Sequence, residues 1–568
     1  MNSLIMEYYK PITFYAYIFL FAINIIVICN YFWKKESDSS IKNFSVFDLF
    51  YIAFCLLFIF IQRYFTFFTL KTNTDESFHL AVALKYINGD HFWVDIDPSS
   101  VGPLNTLLFY FISLFTGEMG YITAKIATFS VICLSFVLIY LASIKIVPRF
   151  VACILSACFS VHMCIPVGHT SVSYNSEMIL LPLLALWMLC FINVRQGKKY
   201  WHYLEFLVIG AIPFGKLQFG PIAAFLFVVG VVNIFIERDY SIKKTGVFIK
   251  HLIPYFFTSL IPLLTVVLNA YINDGLIWFF RFYFLNMISY TQVSHLELTE
   301  SIYQIMFDNL VFFWTDRFFL YTLTPLNIFL TIACLMNRKF KTAFFCLLFV
   351  SVSAYVVVRP LFYFLHYTNI MIFPLFVCPV FLLSSLKSRK YNFLVILTSI
   401  FFLAFYFNDF DDDYAEKIKW TQRTGYSSKW YEIAEDLKQI SNESDRLVVW
   451  GWLDELYLLS GMPGGTAEIA IGGFVPSKVI DRIYPSYTKQ KFIDDIINNR
   501  PRFIIDTPSP YTDIYDSYEY SIRNYPEVWM VVEKNYHLRK KYVLQGKNCE
   551  IFDETCRDVQ ISLYEINN

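Results

Sequence analysis

The chain has 568 residues, of which 57% are hydrophobic and 16% charged, and its formal net charge is zero. A soluble protein of this length would carry about 25% charged residues, so a large soluble core is excluded and a polytopic membrane protein is expected. Zero net charge by itself says nothing about nucleic acid, and no nucleic-acid partner is expected; the distribution of charge is more telling.

A full crossing needs about 20 apolar residues. Twelve stretches are candidate spans: 11–33, 46–70, 120–146, 149–166, 177–194, 203–214, 219–236, 251–271, 318–336, 342–358, 362–384 and 393–408. The stretch 203–214 is short and reads as a broken or half-inserted helix. The first stretch lacks a basic n-region and a small-residue cleavage site, so it reads as retained, with its N-terminus outside.

Loops after alternate spans hold Lys34, Lys35, Lys42, Lys145, Arg149, Arg195, Lys198, Lys199, Arg238, Lys243, Lys244, Lys250, Arg338, Lys339, Lys341, Lys387, Arg389 and Lys390, which is 18 cations. The opposite loops up to residue 361 hold Lys71, Lys85, Lys216, Arg281, Arg317 and Arg359, which is six. The cation-rich side is expected to be cytoplasmic. Asp75, Glu76 and everything after about residue 409 then face outward.

The first outer loop, 71–119, contains "ESFHLAVALKYI" and "LNTLLFYFISLF", apolar but too short to cross. Such helices lie in the interface plane or cover a site at the membrane surface. A second outer loop, 272–317, carries "WFFRFYFLNMISY", whose aromatics suit the membrane–water belt. Residues 409–568 change character. "KWYEIAEDLKQI" predicts an amphipathic helix and "RLVVWGW" a buried strand; "KFIDDIINN" and "RFIIDT" repeat the pattern, and "EVWMVVEKNY" and "VQISLYEI" add strands. That alternation predicts a small extracytoplasmic α/β domain. The expected division is therefore an additional span and loop at 1–45, a membrane domain at 46–408 and the outer domain at 409–568.

Ten of the 12 cysteines lie in or beside apolar spans and read as small core residues. Only Cys549 and Cys556 fall in the outer domain, where the compartment permits a disulfide; no Cys or His pair nearby suggests zinc. The acidic run from Asn408 to Glu416 lacks the glycine and terminal glutamate spacing of a calcium loop and reads as a solvated exit from the membrane.

In "TNTDESFHLA", Asp75 and Glu76 stand where an apolar span ends, with His79 and Lys85 close behind. N-capping and the helix dipole would account for acids there. Their place at the outer rim points further, because carboxylates at membrane level serve as bases or hold a divalent cation. Glu177, in "YNSEMILLPLLALW", starts a span at the same level, again with the helix dipole as the plainer role. Lys216 is the only charge in the Gly/Pro-broken "GAIPFGKLQFGPIA", and Arg359 ends a span in "VVVRPLFYFLHYTN" ahead of His366 and Tyr367. Cations here either snorkel to head groups or neutralise a phosphate. Asp75, Glu76 and Glu177 with Lys216, Arg359, His366 and Tyr367 suit a reaction on a lipid phosphate. His79 and Lys85 join them as candidate substrate contacts.

The stretch from Asp75 to Gly117 resembles the first outer loop of polytopic GT-C glycosyltransferases of the protein mannosyltransferase and lipid A aminoarabinose transferase type. Asp75 and Glu76 match the acidic pair, Gly89 and Asp90 a Gly-Asp, and Pro103 and Leu104 a Pro-Leu. Glu177 takes the place of a second site carboxylate, where Asp is commoner. Lys216 matches the Lys of a Gly-rich segment. "RPLFYFLHYTNIMIFPLF" is similar to a His-Tyr segment, and "VWGWLDELYLLSG" to the opening of the outer C-terminal domain. Members usually have one span before the acidic loop, so 11–33 looks like an addition.

The resemblance implies a polyprenyl-phosphate-linked sugar as donor and a glycan, lipid or protein as acceptor. It implies inversion at the anomeric carbon, Asp75 as base, Glu76 and Glu177 in support, and Lys216 and Arg359 on the phosphate. A divalent cation, if one is used, would sit on Asp75, Glu76 and Glu177. The setting implied is a bacterial inner membrane. Rival readings are a lipid-linked sugar flippase, an oligosaccharide polymerase or ligase, and a scaffold presenting the outer domain.

Overall fold

The computed structural model describes residues 3–34, 44–68, 74–98, 101–164, 173–237, 245–286, 302–316, 318–360, 365–408, 410, 412, 414–415, 417, 428–451, 453–468, 486–507, 521–544 and 559–567. Cys549 and Cys556, and Asp409, Asp411, Asp413 and Glu416 of the acidic run, lie outside these residues. The chain forms two compact units, each assembled from separated stretches.

The first unit comprises Met1–Thr69, Thr128–Leu264 and Thr299–Gln422 and is helical. All twelve stretches expected to span are helical. Nine helices among the described residues are long and apolar enough to cross a membrane. Of the other three, Arg149–His162 and Trp201–Phe214 are shorter, the second on the stretch expected to be short, and Phe318–Met336 is a helix of 19 residues. In Trp201–Phe214 the α-helix gives way after Ala211 to a 3₁₀ turn at Ile212–Phe214, so the broken helix expected there is found.

Local chemistry fixes these helices. Ser45 and Asp48 form a capping box at the start of Val46–Arg63, with Ser45 N donating to Asp48 Oδ2 at 2.7 Å. Asp48 is buried, and it meets Arg149 Nε at 2.8 Å and the Tyr140 hydroxyl at 2.8 Å. Gly210 lets helix Trp201–Ala211 approach helix Thr245–Ile272 closely: a Cβ there would stand 1.9 Å from Ser259 O. The two most enclosed spans are Ser176–Arg195, 78% buried, and His366–Leu386, 83% buried, whereas Ile249–Ile272 is 6% buried. Glu177 and His366 stand at the starts of these two spans, the most enclosed of the nine.

The second unit gathers Leu70–Ala127, Thr265–Leu298 and Arg423–Asn568. Its sheet has the order β1-β2-β4-β3, with β1 Leu447–Trp450, β2 Phe503–Asp506, β3 Tyr536–Leu544 and β4 Val559–Ile566. β1 and β2 pair in parallel, and the other pairs are antiparallel. Helix Ser428–Ile440 buries Trp430, Ile433, Ala434 and Leu437, a spacing of three and four that makes one apolar face. Trp450, Phe492, Ile496, Ile504, Val528, Val532 and Tyr564 share one core.

One expected strand is corrected. "EVWMVVEKNY" forms helix Pro526–Asn535, and β3 begins only at Tyr536. Pro526 stands at the first helical position, Glu527 in the first turn and Lys534 in the last. Val528 and Val532, four apart, supply the buried face, so helical spacing and end signals override the β-branched composition.

Among the described residues of 71–119 are helices Thr74–Ile87 and Pro103–Thr116, each 14 residues and too short to span, as expected. Trp93 is buried, its ring 5.0 Å from Phe279 and 5.4 Å from Tyr283. The aromatic stretch at 279–283 thus packs on Trp93.

Candidate functional site

The expected site residues are divided between the two units. In the second unit, Asp75 and Glu76 occupy the first turn of helix Thr74–Ile87, where the dipole favours negative charge. Neighbouring helical positions point about 100° apart, and the two acids meet different surroundings. The Asp75 side chain is exposed. Glu76 is fully buried, and the Lys125 ammonium donates to both its oxygens at 2.9 Å. One residue on, Ser77 Oγ lies 2.9 Å from the Tyr121 hydroxyl. Glu76 and Ser77 therefore fasten their helix to the start of helix Tyr121–Ser143, whereas Asp75 is exposed. Counting cations loop by loop passes over Lys125, because it stands inside an apolar span. A lone lysine one turn into "YITAKIATFS" was the signal for it.

His79 is buried, its ring 5.5 Å from that of Phe78. Lys85, near the other end of the helix, is buried too. Its ammonium donates to Thr466 O and lies 3.6 Å from Asp90 Oδ2. Burial pushes the Lys85 ammonium down to about 8 against the opposing pull of Asp90. Asp90 in turn accepts both terminal nitrogens of Arg446, at 2.8 and 2.6 Å.

In the first unit, Glu177 lies in the 3₁₀ turn Ser176–Ile179 that precedes helix Leu180–Arg195. It is buried, and Lys216 Nζ donates to its Oε1. His366 Nε2 is 3.9 Å from the same oxygen. Glu177 Oε2 has no hydrogen-bond partner among the described residues. The Lys216 ammonium also sits 4.6 Å from the centre of the Tyr367 ring, a distance at which a cation is attracted to an aromatic face.

The broken segment expected from its glycines and proline explains how Lys216 gets there. Two 3₁₀ turns, Ile212–Phe214 and Leu217–Phe219, flank an extended Lys216, which aims its side chain at Glu177 instead of along a helix. Gly215 is needed beside it: a Cβ there would stand 2.8 Å from Ile179 Cγ2. Glu177, Lys216, His366 and Tyr367, distant in sequence, thus form one cluster. Arg359 caps helix Phe340–Val358, half-buried, its amide bonded to Tyr355 O at 2.9 Å.

A divalent cation on these carboxylates would need their oxygens. Both oxygens of Glu76 face the Lys125 ammonium, and Oε1 of Glu177 faces that of Lys216. An ammonium at hydrogen-bonding distance stands where a metal ion would and repels it. Among the described residues no three His, Cys, Asp or Glu side chains gather into a possible metal site. Glu76, with both oxygens on Lys125, does not fit a divalent ion.

No family model matches the chain, and no curated protein matches it. Among solved structures it is similar to ArnT from Cupriavidus metallidurans bound to undecaprenyl phosphate. That match has a TM-score of 0.50 and 14% identity, and covers 90% of this chain and 97% of that one. ArnT in the apo state matches with a TM-score of 0.49 and 14% identity over the same shares. The Archaeoglobus fulgidus oligosaccharyltransferase in complex with Zn and sulfate matches with a TM-score of 0.49 and 11% identity, over 88% of this chain and 72% of that one. The likeness to undecaprenyl-phosphate-bound ArnT shows the fold: this chain is a multi-pass membrane protein with the architecture of that structure.

Proposed function

We propose that the protein is a glycosyltransferase that moves a monosaccharide from a polyprenyl-phosphate donor to an acceptor hydroxyl on a glycolipid, polysaccharide or protein. On this reading the reaction runs at the outer face of a bacterial inner membrane. The membrane domain 46–408 carries it, and 409–568 forms the outer domain. The carrying observation is the division of labour in the acidic pair, with Glu76 spent on Lys125 and Asp75 exposed. The fold likeness to ArnT, a structure that holds undecaprenyl phosphate, supports the donor class.

The chemistry follows from side-chain types. The Asp75 carboxylate takes the proton of the acceptor hydroxyl. The hydroxyl oxygen bonds to the anomeric carbon from the face opposite the phosphate, so the configuration inverts. The bond from that carbon to the phosphate oxygen breaks, and its electron pair leaves with polyprenyl phosphate. Lys216 and Arg359 stabilise the departing charge, and Lys216 exchanges Glu177 for the phosphate when donor binds. His366, beside Glu177, holds that carboxylate in place.

Mass spectrometry of lipid extracted with the purified protein tests the donor class. A polyprenyl-phosphate sugar supports the reading. If the protein instead moves such a lipid between leaflets without cleaving it, the flippase reading replaces this one.

A further inference from the structure

The sequence offered Lys85 as a substrate contact, yet its ammonium is buried and engaged. The chain reaches this arrangement through a tight turn. Helix Thr74–Ile87 is followed by Gly89 at φ +90, and Asp90 N returns to Lys85 O at 3.2 Å. Glycine adopts that left-handed conformation without strain. The turn carries the Asp90 carboxylate back beside Lys85.

What meets them comes from more than 350 residues away in sequence. Arg446, just before β1, grips Asp90 with two parallel bonds, a geometry with directional strength as well as charge. The same guanidinium donates to Gly464 O at 2.9 Å. Segment 463–467 runs beside β1: Leu447 N donates to Pro463 O at 3.1 Å, and Gly465 N to Leu447 O at 2.9 Å. It therefore presents Gly464 O to Arg446 and Thr466 O to Lys85. Ala467 closes the contact on both sides. Its carbonyl accepts Asp97 N at 2.9 Å, and its amide donates to Asp495 Oδ2 at 2.8 Å. Helix Glu455–Ser460 of the same stretch packs on helix Thr74–Ile87. All these groups belong to one compact unit.

From this we infer that Arg446, Asp90 and Lys85 are positioning residues. Through them segment 446–467 of the C-terminal domain grips the far end of the helix whose first turn carries Asp75. The inference rests on the proposed role of Asp75 as base. Lys85 and Asp75 are ten residues apart on a 1.5 Å rise, so the grip acts from about 15 Å along the helix. A base displaced by about 1 Å loses much of its advantage, on the order of a hundredfold in rate.

The test uses the full-length chain in lipid nanodiscs with three variants. Arg446→Met removes the grip, and Arg446→Lys keeps the charge without the parallel pair of bonds. Arg502→Met removes an arginine of the same sheet that pairs with Asp445 and Glu565 instead. Hydrogen exchange of the peptide covering 74–87 is read beside turnover of an undecaprenyl-phosphate hexose. Arg446→Met is expected to speed exchange in 74–87 while β2 and β4 keep their protection. Turnover should fall at least about tenfold with donor KM within about twofold. Arg446→Lys should recover part of it, and Arg502→Met should leave the peptide unchanged.

Unchanged exchange in 74–87 for Arg446→Met overturns the inference. So does a raised donor KM at full kcat, which would return Lys85 and its neighbours to substrate binding. If Arg446→Met exposes β2 and β4 as well, Asp90→Asn, which lies outside the sheet, decides by the same peptide. If the wild type turns over no polyprenyl-phosphate sugar, the transferase reading fails separately, and the exchange result alone judges the grip.

Discussion

Asp75 and Glu76 are chemically alike and adjacent, and only their surroundings divide their tasks. Removing a general base costs about 10² to 10⁴ in rate. Asp75→Asn keeps shape and polarity but cannot take the proton, so transfer should fall by that factor while yield and thermal stability hold. Unaltered turnover would leave Asp75 the helix dipole alone. Glu76 should behave in the opposite way. Breaking a buried ion pair by removing one partner costs about 3–5 kcal/mol, because a buried charge is left without its counter-charge. Glu76→Gln and Lys125→Met should each lower the unfolding temperature, and the double variant should be less destabilised than either. Additive losses in that cycle would show that the pair does not act as a unit. At this scale the sequence offered the acids and Lys216, since charges in apolar surroundings stand out. It could not offer the pairings. Nothing in "DES" distinguishes the exposed acid from the buried one until Lys125, one turn into another helix, chooses Glu76.

Helices were legible element by element wherever apolar length or amphipathic spacing was strong, and the 3₁₀ break around Lys216 was legible from its glycines and proline. Helix Pro526–Asn535 was not, because its tryptophan and valines favour strand while its proline, end charges and buried spacing favour helix. Close approaches were also hidden. Gly210 admits Ser259 O, and its substitution by Ala should push two helices apart and lower stability. Retained stability would show that they tolerate the shift. β2 ends on a further element-scale device. Asp506 is buried, accepts Ser521 Oγ at 2.6 Å and Ile522 N at 3.1 Å, and burial raises its carboxyl to about 6. A carboxyl raised in the fold binds protons more tightly folded than unfolded, so its contribution is full below about pH 4 and is lost as pH rises through 6. The shift corresponds to about 3 kcal/mol between the two limits. Asp506→Asn should therefore gain on the wild type as pH is raised from 4 to 7, measured by denaturant unfolding at each pH. A difference that does not change with pH would contradict this.

At the scale of the whole molecule, the alternation of apolar blocks and the change of composition near residue 409 were enough to expect a polytopic protein with an α/β appendage. Contact between the loop at 88–97 and that appendage was not legible, because Asp90 and Arg446 carry no mark of one another in the sequence. Orientation rests on the 18 cations against six. Reporter fusions at Lys339 and Asn442 should give opposite compartments, with Asn442 outside; a cytoplasmic Asn442 would remove the proposed outer site. The central claim is that this membrane protein cleaves a lipid-linked sugar using Asp75. The most direct measurement follows free polyprenyl phosphate released from undecaprenyl-phosphate sugars by the reconstituted wild type and by Asp75→Asn, with acceptor lipids and glycans from a bacterial envelope present. Acceptor-dependent release by the wild type, reduced at least a hundredfold or so in Asp75→Asn, is the predicted result. Intact donor with the wild type, or equal release by both proteins, would contradict it.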